Sequence, residues 1–191
     1  MRASTGTAND VTASASWVGP VSFKGDRNIM FEVRLKASAV ASLKLEMGFI
    51  DAVPGSNAAG VTDEDTPTLA AADGAIIALD SSETFKGIGF YTKGSTASQT
   101  ASRTSAAGVP GYTSNTTPVL AEWTTLRVEV EGNNAYAWAN GKPFATHNTQ
   151  AAGHVEGGVA LAPWIYVRAN SATSIDLDVD YIRWGKNRNI T

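Results

Sequence analysis

Cysteine is absent from the 191 residues. That removes disulfide scaffolds, thiolate metal sites and a cysteine nucleophile, along with any sign of maturation in an oxidising compartment. Histidine occurs only as His147 and His154. Both fall in the turn-rich stretch H-N-T-Q-A-A-G-H, which is too irregular to aim two imidazoles at one metal by strand geometry. Charge is sparse too: 17% of residues are charged, where about a quarter is usual. With 15 basic and 18 acidic residues the formal charge is −3, so no broad basic field exists to attract nucleic acid or an anionic membrane. No run approaches the ~20 apolar residues of a membrane span, and M-R-A-S-T-G-T-A-N-D lacks the apolar core of a signal peptide. The expectation is a chain made in the cytosol, with neither membrane nor nucleic acid as partner.

Helical periodicity is missing as well. No window carries a 3.6-residue apolar stripe, and A-A-A-D-G around Ala70–Gly74 allows one short turn at most. Period-two segments are what the chain has. They predict strands near Val11–Trp17, Asn28–Lys36, Leu43–Ile50, Ala75–Leu79, Gly87–Thr92, Thr125–Glu131, Ala135–Ala139, Pro143–Thr146, Gly158–Val167 and Ser174–Trp184. About ten short strands separated by Gly, Pro and Asn indicate an all-β, antiparallel two-sheet sandwich with long loops. The length suits one domain, 1–191, with a short flexible N-terminal segment (about 1–10) and a C-terminal tail (about 186–191). The clearest local piece is Leu126–His147. Leu126, Val128 and Val130 alternate with Arg127, Glu129 and Glu131; Gly132-Asn133 turns the chain; Asn140-Gly141 then supplies a type I′ hairpin, whose central residues need positive φ.

Asp51–Asp73 and Gly94–Pro118 read as long loops, and connections of that length are usually functional or ordered by a neighbour. The second of them alternatively hides a weak strand pair. The acidic turn Asp63-Glu64-Asp65 is a possible calcium ligand set. Calcium needs six to eight oxygens from converging segments, and an EF-hand pattern is lacking; no metal residue is assigned. Near the C-terminus Asp176, Asp178 and Asp180 alternate with Ile175, Leu177, Val179 and Tyr181. The apolar set is expected to point into the sandwich and the aspartates to keep the other side wet.

The pattern W-T-T-L-R-V-E-V-E-G-N-N-A-Y-A-W-A-N-G-K-P-F-A-T-H, from Trp123, resembles the paired strands of concanavalin A-like (laminin-G-like) jelly-roll domains. V-D-Y-I-R-W, from Val179, resembles the closing strand of laminarinase-like sandwiches. The resemblance implies a concanavalin A-like jelly roll. Retaining glycosidases of that superfamily carry E-x-D-x-E or E-x-D-x-x-E on a central strand of the concave sheet, and neither pattern occurs here. No G-x-S-x-G elbow or phosphate-binding glycine loop is present either. No catalytic residue is therefore assigned, and the expectation is a protein that is not an enzyme.

The closing half, G-G-V-A-L-A-P-W-I-Y-V-R-A-N-S-A-T-S-I-D-L-D-V-D-Y-I-R, also resembles proteins of tailed bacteriophages. This implies a non-enzymatic virion component: a capsid decoration or stabilising subunit, or a tail or fibre subunit. Such a subunit would sit on the virion surface, contact capsid or tail proteins and form a homo-oligomer, a trimer being favoured. The alternative is a carbohydrate-binding module, with a glycoside hydrolase behind it. Candidate ligand- or partner-binding residues are Tyr136, Trp138, Trp164 and Trp184. In Ala135–Ala139 the alanines share one face and Tyr136 and Trp138 the other. If the alanines face the core, the aromatics face outwards to a sugar or another chain; the reverse orientation makes them core.

Overall fold

The chain's structure, a computed structural model, describes residues 1–7, 11–16, 23–24, 26, 28–54, 58–66, 68–85, 87–94, 102–105, 120–148 and 153–186. Among these, the strands in chain order are β1 (Arg2–Ser4), β2 (Thr12–Ser16), β3 (Phe23–Lys24), β4 (Ile29–Ala37), β5 (Leu43–Ile50), β6 (Val61–Asp63), β7 (Thr68–Leu69) and β8 (Gly74–Asp80). They continue with β9 (Gly89–Lys93), β10 (Ser102–Ser105), β11 (Thr124–Glu131), β12 (Asn134–Ala139), β13 (Lys142–His147), β14 (Ala160–Ala169) and β15 (Asp176–Lys186). All ten expected strands are present. The Asp51–Asp73 loop contains the β6–β7 hairpin, and β10 lies within Gly94–Pro118, most of which is outside the described residues. Residues 2–4, inside the segment expected to be flexible, pair with β15.

Two antiparallel sheets face each other. One has six strands in the order β1-β15-β4-β11-β12-β13, and the other seven, β10-β9-β8-β5-β14-β2, with β3 beside β14. Alternation explains how they meet. Phe31, Val33 and Leu35 of β4, Leu126 and Val128 of β11, and Ala135, Ala137 and Ala139 of β12 turn inwards. They pack on Leu45, Met47 and Phe49 of β5, Ile77 of β8 and Ile165 and Val167 of β14. The alanine row lets β12 lie close over this core, which places Tyr136 and Trp138 on the opposite, half-buried face.

The two sheets differ in their second faces. The six-stranded sheet turns Glu32, Arg34, Lys36, Arg127 and Glu129 to solvent. The seven-stranded sheet is covered on both sides over its middle strands. The β6–β7 hairpin and its flanks lay Ala59, Val61, Leu69 and Ala71 over Ile76, Ala78, Tyr91, Trp164 and Tyr166. This is why every residue of β5 and β8 is buried.

In β15, Leu177 and Val179 point inwards as expected, but the register slips between Val179 and Tyr181, leaving Asp180 as a bulge. A bulge reverses facing for everything beyond it. Tyr181 consequently pairs with Arg34 on the solvent face and is 38% exposed, contrary to the inward orientation expected of it. Asp176 and Asp178 form the wet side and take ion pairs: Arg2 reaches both, at 3.3 and 2.6 Å, and Lys36 reaches Asp178 at 3.7 Å. At Asn140 and Gly141, φ is 50° and 75°, the signature the hairpin sequence predicts.

Candidate functional site

Strand register assembles a groove on the outer face of the six-stranded sheet. Trp123, just before β11, is followed at alternate positions by Thr125 and Arg127, so all three share that face. Arg127 lies opposite Glu32 on one side and Trp138 on the other, while Thr125 lies opposite Arg34. Asn140 and Gly141 complete the lining of a groove of about 530 Å³.

Cations hold the indoles in place. The Arg34 guanidinium carbon and the Lys36 Nζ stand 5.2 and 5.0 Å from the centroid of Trp123, and the Arg127 carbon stands 5.0 Å from that of Trp138. Each such contact contributes about 0.5–1 kcal/mol at an exposed site. Tyr136 stacks at a tilt on Trp138, centroids 5.9 Å apart. The cations are themselves oriented: Arg34 pairs with Asp180 at 2.7 Å, and Arg127 pairs with Glu129. The Tyr181 hydroxyl donates to Glu32 Oε1 at 3.0 Å. The result is a pair of ordered aromatic faces with donors and acceptors between them. Apolar C–H surfaces stack on such faces, and hydroxyls exchange hydrogen bonds with the floor.

The covered face of the seven-stranded sheet holds a different constellation. Lys44 and Glu46 project from β5, Asp80 from the end of β8 and Glu64 from the β6–β7 turn, all of them buried. Lys44 Nζ is 2.6 Å from Glu64 Oε1, 3.3 Å from Asp80 Oδ2 and 4.0 Å from Glu46 Oε1. Glu46 accepts from the backbone N–H of Gly60 (2.7 Å) and Val61 (2.9 Å) and from Trp164 Nε1 (2.9 Å), tying the hairpin's approach to the sheet. Burial pushes the Glu64 carboxyl up to about 7, Lys44 offsetting only part of the effect. Burial also raises Glu46. At Asp80 burial acts upward but is overcome by hydrogen bonds from Ser82 and by Lys44, leaving it below the usual range. Burial works against the Lys44 charge, but its carboxylate neighbours outweigh that and raise it. Glu64 and Asp80 are thus adjacent carboxyls of opposite tendency.

The acidic turn does not converge as a calcium loop. Asp63 accepts from the Thr66 N–H at 2.6 Å, Asp65 from the N–H groups of Thr84 and Phe85 at 3.0 and 2.7 Å, and Glu64 turns inwards. Oxygens of Glu64, Asp80 and Glu83 do come within 4.8 Å of one another. The Lys44 ammonium lies against two of the three, so the charge a cation would supply is already provided.

Of the four aromatic candidates, Trp138 lines the groove and Tyr136 stands beside it, against the Trp138 ring. Trp164 is not exposed: at 2% accessibility it is stacked on Tyr166 (5.8 Å, 14°) beneath the hairpin. Trp184 is 39% exposed but lies opposite Phe31, so it has core-side facing at the sandwich rim and is apart from the other two. His147 is buried, Nδ1 2.7 Å from Thr92 Oγ1, with its ring against Phe90; burial holds its pKa down at about 4. Trp123, Arg127 and Glu32 were not singled out from the sequence, although the i, i+2, i+4 spacing of Trp123, Thr125 and Arg127 carries the signal. Lys44, Glu46 and Asp80 were missed because K-x-E in a strand reads as a wet face.

No family model matches the sequence, and no curated protein matches it. Solved structures do match in fold. A Crh5 transglycosylase in complex with NAG aligns over 98% of this chain and 73% of its own at 8% identity, with a TM-score of 0.62. The laminarinase from Rhodothermus marinus aligns over 90% and 69% at 11% identity, TM-score 0.58. SCLam, a non-specific endo-beta-1,3(4)-glucanase from family GH16, aligns over 91% and 63% at 13% identity, TM-score 0.54. These likenesses establish the concanavalin A-like sandwich. They also correct the functional expectation. The fold neighbours are carbohydrate-active enzymes, which overturns the assignment to a non-enzymatic virion component and the argument from a missing triplet that the chain is no enzyme; the phage resemblance gains no support from them.

Proposed function

We propose that this chain is a carbohydrate-active sandwich protein that engages a saccharide in the groove of its six-stranded sheet. One observation carries the reading: two tryptophans, Trp123 and Trp138, stand at the ends of a single polar groove, each backed by a cation. Large aromatic faces left on a sheet surface cost solvation unless a ligand with apolar faces covers them. Sugar rings offer such faces together with hydroxyls for Arg127, Thr125 and Glu32. Calorimetric titration with soluble β-1,3(4)-glucan tests this. Binding is expected, with Trp138→Ala weaker by about tenfold, equivalent to about 1.4 kcal/mol. Failure of the glucan to bind, or an unchanged Trp138→Ala titration, refutes it.

A second reading, cleavage or transfer of a glycosidic bond, is favoured by the fold neighbours, among which are a transglycosylase and glucanases. It expects new reducing ends from glucan incubated with the protein, and wild-type protein that releases none eliminates it.

A further inference from the structure

We infer that the groove takes a linear saccharide chain longer than a disaccharide, laid along β11 with one indole at each end. The inference rests on the saccharide reading and adds the size and direction of the ligand. Trp123 stands one residue before β11 and four before Arg127, so extended backbone separates their Cα atoms by about 14 Å, and Trp138 sits directly across from Arg127 on β12. A single sugar ring cannot stack on both indoles. The stretch between them is floored by Thr125 and Arg34, with Arg34 already oriented by Asp180. That floor offers hydrogen bonds and no third aromatic face, as suits the middle of a chain whose ends are stacked.

A ladder of β-1,3-gluco-oligosaccharides from one to eight units, titrated calorimetrically into the wild type and into Trp123→Ala and Trp138→Ala, tests the inference. Affinity is expected to rise at least tenfold between the disaccharide and the hexasaccharide and then level off. Each variant should bind the hexasaccharide about as weakly as the wild type binds the disaccharide. Equal affinity for short and long members, or a length dependence that both variants retain, overturns the chain-spanning geometry while leaving saccharide binding standing. If neither the oligosaccharides nor the polymeric glucan binds, the underlying reading falls with it.

Discussion

Lys44 and Glu46 show how little a strand pattern says about a second face. In L-K-L-E-M the two charges alternate with apolar residues as they would on a wet surface, yet both are buried. What makes this tolerable is saturation: Lys44 has three carboxylate neighbours, and both oxygens of Glu46 accept hydrogen bonds. Breaking a buried ion pair by removing one partner typically costs about 3–5 kcal/mol, because the surviving charge is left uncompensated. Lys44→Met should therefore lower stability by that order in urea unfolding. Adding Asp80→Asn should recover part of the loss, since the carboxylate that Lys44 leaves stranded, held below its usual range, then becomes a neutral amide. A Lys44→Met protein within about 1 kcal/mol of the wild type would show that the ammonium is not the centre of this network.

At the scale of strands, legibility followed length and coverage. β4, β5, β8, β11, β12 and β14 each have enough residues to display a period, and all were readable. β1, β3, β6, β7 and β10 have two to four residues, too few for any period to show; β1 and β10 close sheet edges and β6 and β7 form a cover that only the folded chain defines. The candidate site was half legible for the same reason. The sequence divided β12 into an alanine face and a Tyr136–Trp138 face without deciding which met the core, and Trp164 was misjudged because alternation cannot report that a hairpin sits on the outer face. Tyr181 was misjudged because one unpaired residue, Asp180, inverts the facing of everything after it. The β12–β13 turn was readable from two residues, and it supplies a test. Gly141 holds φ 75°, a left-handed conformation that costs a residue with a Cβ about 1–2 kcal/mol, so Gly141→Ala should destabilise by roughly that amount. No side chain crowds the added methyl, so the whole effect is backbone strain. A neutral substitution in thermal unfolding would contradict the turn geometry.

Across the whole molecule the two sheets divide the work. The middle strands of the seven-stranded sheet, β5 and β8, are sealed on both faces, and the six-stranded sheet leaves its outer face to solvent. Sealing has a consequence in pH dependence. Glu64 is raised to about 7, so between its unfolded value near 4.5 and about 7 the folded chain holds a proton that the unfolded chain has released. Stability contributed by Glu64 is therefore complete at low pH, declines as pH rises through that window and is flat above it. His147, lowered from 6.5 to about 4, acts in the opposite sense: below 6.5 the unfolded chain takes up a proton that the folded one refuses, so stability falls on acidification. The two slopes oppose each other between 4.5 and 6.5 and mask one another in the wild type. Glu64→Gln separates them, because glutamine reproduces the shape of the protonated acid without titrating. Urea midpoints of wild type and Glu64→Gln measured from pH 4.5 to 8 should diverge: the wild type's stability relative to the variant declines steadily up to about pH 7 and then holds constant. The variant alone should show the acid-side loss belonging to His147. A wild type that instead gains on the variant as pH rises would mean that Glu64 is ionised where it lies, with Lys44 outweighing burial.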